Sequence, residues 1–138
     1  MTLYHFTSEV ALLGIEAHGL ILPTESNVGS TSPSMPPEGE GVGPDVVWLL
    51  DSPERPSNHS NRVNHGLFGT VVDKTAVRIE VDVPAIRWRD WAPAQQMHPT
   101  WRELLVKASG GVEASDHWYV FPSAIPRSRW VSIHRLDT

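Results

Sequence analysis

Leu3-Tyr4-His5-Phe6-Thr7-Ser8 leads into a helix-length segment ending in His18-Gly19-Leu20, and the reading of this stretch decides the fold. Thr2 to Phe6 alternates as a short strand does. Thr7 or Ser8 then supplies the side-chain oxygen that caps a helix from about Glu9 to His18. Val10, Leu13 and Ala17, with Leu12 and Ile15 beside them, form its expected apolar stripe. Gly14 weakens the helix slightly, and Gly19 is its expected left-handed terminator. Leu20 to Leu22 re-enters the core as a brief extended segment. One imidazole and two hydroxyls thus stand at a strand end before a helix N-terminus, a place suited to a sugar or an anion.

Downstream, residues 23–44 are rich in Pro, Gly and Ser and carry few large apolar side chains, so they read as a flexible loop that is either mobile or functional, such as a lid over a site. Asp45-Val46-Val47-Trp48-Leu49-Leu50 reads as a buried strand closed by Asp51-Ser52-Pro53. After a polar patch from Glu54 to Asn64, strands are expected at Leu67 to Val72 and Ala76 to Val83. In the second of these, valines and Ile79 alternate with Arg78, Glu80 and Asp82, which gives it one wet face. Pro84 to Met97 reads as irregular, Pro99 to Ser109 as a helix with Trp101, Leu104, Leu105 and Ala108 inward, and Gly110-Gly111 as its end. Trp118 to Phe121 and Trp130 to His134 are the last strands, separated by the turn-rich Pro122 to Arg127. Few helices and irregularly spaced strands predict one α+β domain over residues 1–138, with a split, curved, mainly antiparallel sheet.

Composition narrows the function. The chain of 138 residues has a formal net charge of −5 and no cysteine, so bulk attraction to nucleic acid, thiolate zinc sites and a cysteine nucleophile are set aside. With no export signal and no apolar run near the roughly 20 residues of a membrane span, the expected location is the cytoplasm. His59 and His65, among Asn58, Asn61 and Asn64, do not have a metal-ligand spacing, and no metal is expected. Gly39-Glu40-Gly41-Val42-Gly43 lacks the Lys-Ser/Thr ending of a phosphate loop.

The opening segment, with His5-Phe6-Thr7 in a strand and Gly19-Leu20 after the helix, resembles the ADP-ribosyltransferase superfamily, whose members carry a short His-x-Thr motif. Val47-Trp48-Leu49-Leu50-Asp51-Ser52 is similar to a second strand of that family. The likeness covers mainly residues 3–22 and 46–53. It implies NAD as substrate, with His5 on the ribose next to nicotinamide and Thr7 positioning the dinucleotide. Tyr4 and Phe6 would flank them, and Trp48 and Ser52 would border the nicotinamide pocket. It also implies a carboxylate, Glu113 or Asp116, with Glu80 a third candidate, to stabilise positive charge developing on the ribose. The implied acceptor is a macromolecule, protein rather than nucleic acid, with hydrolysis of NAD as the other outcome. Two further readings stand beside this one. The first is a catalytically silent protein that binds a partner through Trp and Arg side chains of residues 87–101. The second is an RNA 2′-phosphotransferase-like activity.

Overall fold

A computed structural model of the chain describes residues 1–23, 45–55, 63–65, 71–95, 99–108 and 112–136. The expected loop at 23–44 lies outside the described residues except for Pro23, as do His59, residues 66–70 and Gly110-Gly111. The chain forms a small α+β domain with a mainly antiparallel sheet and few helices. Its strands are β1 (Thr2–Thr7), β2 (Leu20–Ile21), β3 (Val47–Leu50), β4 (Val63–His65), β5 (Val71–Asp73), β6 (Val77–Asp82), β7 (Ile86–Arg87), β8 (Trp118–Phe121), β9 (Ile125–Pro126) and β10 (Trp130–Arg135). Its helices are α1 (Glu9–His18), α2 (Trp88–Trp91), α3 (Pro99–Ala108) and α4 (Val112–Ser115).

Six strands form the main sheet in the order β10-β6-β1-β3-β8-β7, with every pairing antiparallel. β1 is zipped to β6 from Thr2–Asp82 to Thr7–Val77, whereas β1 and β3 share only the pair Tyr4–Leu50. The sheet is therefore two three-stranded halves joined at one point. The small ladders β2–β9 and β4–β5 complete the strand pairing.

Each face of the sheet carries its own core. On one, Leu3, Val47, Leu49, Val77, Ile79, Val81 and Tyr119 pack with Leu12 of α1, Ile21 of β2 and Ile125 of β9. On the other, Trp118 and Val120 pack with Trp88, Trp91 and Ala92, while Trp48 and Leu50 flank them. Trp118 meets Trp88 at 4.9 Å and Trp48 at 6.0 Å between ring centroids, both edge to face, the arrangement that ring quadrupoles favour. The alternation expected in β6 holds, with Val77, Ile79 and Val81 fully buried and Asp82 exposed.

Helix α1 is capped as its sequence predicts. Ser8 Oγ accepts from the Ala11 N–H at 3.1 Å, and Gly19 adopts φ +68° while its N–H reaches the Ile15 carbonyl at 2.8 Å. The apolar stripe is a different one. Val10 and Leu13 are 71% and 70% exposed and Ala17 is exposed, while Leu12 is completely buried and Ile15 packs on the core. Both helix ends are tied down, at the N-terminus by the buried Ser8. At the C-terminus Arg127 donates from its backbone to Gly19 O and from its guanidinium to Glu16 O. These anchors select the inward line Ser8, Leu12, Ile15, Gly19, at spacings of four, three and four.

Two other expectations are corrected: the segment read as irregular holds β7, α2 and a 3₁₀ turn at Ala92–Ala94, and the stretch read as turn-rich holds β9. Of the strand expected at Leu67 to Val72, only Val71 and Val72 are among the described residues, and they belong to β5, which pairs with β4. Each piece is two to four residues long. Periodicity has no length over which to show in such pieces. The side chains of Trp101, Leu104, Leu105 and Ala108 lie outside the described residues. Leu12→Ala should destabilise the protein by about 2–5 kcal/mol. Leu13→Ala should change stability by less than about 0.5 kcal/mol, as read by urea denaturation; equal losses would show that the helix docks through the other stripe.

Candidate functional site

His5 sits where the two half-sheets part. One position past the Tyr4–Leu50 pair, its ring Nδ1 lies 2.9 Å from the Trp48 carbonyl oxygen. A carbonyl oxygen only accepts, so Nδ1 carries the proton and donates. Burial strips water from the ring and lowers its pKa below the ordinary histidine value, an effect that the bond to Trp48 opposes only in part. The imidazole is accordingly neutral at neutral pH, and its other nitrogen, Nε2, is an acceptor with no proton of its own. The residue as a whole is half-buried.

Register divides the remaining β1 candidates between the faces. His5 stands opposite the core residue Ile79, and Thr7, buried, stands opposite Val77, so these two share a face. Tyr4 and Phe6 stand opposite Glu80 and Arg78 on the other face. Consecutive strand residues cannot point the same way, and the six residues expected to line one dinucleotide site are split by that rule. Trp48 contributes its backbone carbonyl to His5 while its indole packs toward Trp118 on the Tyr4 face. Ser52, in the turn after β3, accepts from the Glu54 N–H at 3.2 Å.

The three candidate carboxylates occupy different settings. Asp116 is held by Arg89 at 2.9 Å. Glu80, on the Tyr4 face, accepts from Ser132 Oγ at 3.1 Å, and the same hydroxyl lies 3.1 Å from His134 Nε2. Glu113 is exposed on α4 and has no ion pair among the described residues. None of the three is hydrogen-bonded to a β1 side chain among the described residues.

One pair of titratable groups escaped the sequence reading. His117 Nδ1 lies 2.9 Å from Asp51 Oδ1, across 66 positions of chain. Asp51 directly follows β3 and His117 directly precedes β8, and the Leu50–Trp118 register sets them opposite each other. Only knowledge of that strand pairing could have found them. Several arginines of the C-terminal half tie elements together. Arg87 donates to Tyr119 Oη at 3.1 Å, Arg135 pairs with Glu9 at 3.1 Å, and Arg127 lies over the Trp130 ring. Trp88 and Trp91 are buried, 5% and 8% exposed, so they do not form an exposed partner surface.

In comparisons with known proteins, no family model, no curated protein and no solved structure matches this chain. Among the described residues no three His, Asp or Glu side chains are grouped to hold a metal ion, and no helix is long and apolar enough to cross a membrane.

The depressed pKa of His5 links stability to pH. The unfolded chain takes up a proton at about pH 6.5, where the folded ring still resists it, so this contribution is complete above that pH and is lost as pH falls toward the folded value. Wild type should therefore lose more stability than His5→Gln between about pH 7 and pH 5 in paired thermal melts. Parallel pH profiles would show that His5 is not held neutral.

Proposed function

We propose that this protein is an ADP-ribosyltransferase-like protein that binds NAD at the junction of β1 and β3 and transfers ADP-ribose to a macromolecular acceptor, releasing nicotinamide. The observation that carries the reading is the fixed, neutral tautomer of His5. With Nδ1 committed to the Trp48 carbonyl, Nε2 is left as a hydrogen-bond acceptor, and a ribose presents hydroxyl donors in pairs. Thr7 shares that face of β1. The His5-Phe6-Thr7 motif, followed by a capped helix and its Gly19 terminator, agrees with the resemblance noted in the sequence.

Breaking the bond between ribose and nicotinamide develops positive charge on the sugar, so a carboxylate placed there binds the transition state more strongly than the ground state. The proposal assigns this role to Glu113, because Asp116 is already paired with Arg89 and Glu80 stands on the face away from His5. A net charge of −5 favours a protein acceptor over nucleic acid.

The test is calorimetric titration with NAD beside an assay of free nicotinamide. His5→Ala should weaken NAD binding by about tenfold or more, as expected when a hydrogen-bonding group is removed from a desolvated site. His5→Gln keeps an amide donor for Trp48 and a carbonyl acceptor, and should retain part of the affinity. Glu113→Ala should keep binding and suppress nicotinamide release. Binding unaffected by His5→Ala would remove His5 from the site, and release unaffected by Glu113→Ala would remove the assigned carboxylate.

A further inference from the structure

Val10, Leu13 and Ala17 form a stripe of helical spacing that the core of this protein does not use, since all three are exposed. Contiguous exposed apolar side chains mark a surface that meets a partner. Glu9, Leu13 and Ala17, at spacings of four, line one side of α1, with Val10 beside them. The ion pair of Glu9 with Arg135, the last residue of β10, shows where that side faces. It faces the β10 edge of the sheet.

β10 is a terminal strand of the main sheet, and among the described residues no strand pairs with its outer side. It too carries exposed apolar groups. Val131, at the register shift between Trp130 and Ser132, is 60% exposed, and Ile133 is 36% exposed. Ile133 stands opposite the core residue Ile79, so it lies on the face that α1 covers. A strand edge with apolar side chains beside it is a template for another strand. The helix runs antiparallel to this strand, because Glu9 at its start meets Arg135 and its last turn meets Arg127, just before Trp130. Leu13 is therefore level with the middle of β10.

These features fit a second copy of the same chain. A two-fold axis through the middle of β10 lays the strand antiparallel to itself and sets the two α1 helices antiparallel on one face. Opposed residues of antiparallel strands share a face, so a two-fold register pairs one residue with itself. Pairing at Ile133 puts Ser132 opposite His134 and Val131 opposite Arg135, with no like charges opposed, whereas pairing at His134 would oppose two imidazoles. Charge is matched between the helices as well. The axis carries Glu9, in the first turn of one α1, to the last turn of the other, which holds His18 and lies against Arg127.

We propose that the chain forms a two-fold dimer through β10 and α1, with Ile133 opposite Ile133 of the second copy and Leu13 packed against Leu13 between the helices. β6 separates this edge from β1, so the dimer stands or falls independently of the NAD reading. A strand of about 20 Å and a helix of about 15 Å bound a small interface. The dissociation constant is accordingly expected in the micromolar range, on the order of 1–100 μM.

The test is sedimentation velocity of the full chain across that concentration range, with thermal melts to check that each variant is folded. A monomer–dimer equilibrium is expected, weakened about tenfold or more by Leu13→Glu and by Ile133→Lys. Val112→Glu, at an exposed apolar position on α4, should change it by less than about twofold. Cross-linking reads the register. The chain has no cysteine, so Ile133→Cys can form a disulfide only with another copy, and the self-paired position brings the two thiols within bonding reach. Under mild oxidation it should form covalent dimer about tenfold faster or more than Val112→Cys. A monomer at every concentration, a dimer indifferent to both charged variants, or equal cross-linking rates would overturn the proposal.

Discussion

A side-chain hydrogen bond stands in for strand pairing at the centre of this fold. β1 is fully zipped to β6 yet meets β3 at the single pair Tyr4–Leu50, and just past that pair the His5 ring takes the Trp48 carbonyl. The bond sets three things together. It satisfies a carbonyl where the two half-sheets part, it chooses the tautomer of the ring, and, with burial, it leaves a neutral imidazole whose second nitrogen only accepts. Protonation would place a cation in a desolvated setting, a cost that the bond to Trp48 offsets only in part, which explains the direction of its pKa.

Around that join the two faces of the sheet diverge in character. One is closed by α1 and the β2–β9 ladder over an aliphatic core, and His5 and Thr7 share that face, opposite Ile79 and Val77. The other is divided. Over β3 and β8 it is packed by Trp48, Trp88, Trp91 and Trp118, and over β6 and β10 it carries polar groups, Arg78, Glu80, Ser132 and His134. Strand alternation alone produces this division, because each residue of β1 must serve the face its position dictates.

That rule also marks how far the sequence was legible. The strand–cap–helix–glycine order at residues 2–19 is local chemistry, and it was readable because Ser8 and Gly19 act on groups a few positions away. β6 was readable because its alternation runs for six residues. The helix stripe was misassigned because 3.6-residue periodicity allows two neighbouring lines. The choice between them rests on the Arg127 bonds to Glu16 and Gly19, more than 100 residues away. β7, α2 and β9 were missed because such short elements exist only against their partners. In the candidate site, His5 was legible from its motif. Its partner, the Trp48 carbonyl, was not, since any backbone carbonyl can serve and only topology selects one. Asp51 with His117, and Arg78 with Pro53, are invisible for the same reason.

The central claim is the protonation state and tautomer of His5, and the most direct measurement is a long-range ¹H–¹⁵N NMR correlation of its imidazole at neutral pH. The account predicts one protonated nitrogen, Nδ1, and an unprotonated Nε2 whose shift moves when NAD is added. A ring protonated on both nitrogens, or on Nε2 alone, would contradict it, because the acceptor on which the proposed site depends would not exist.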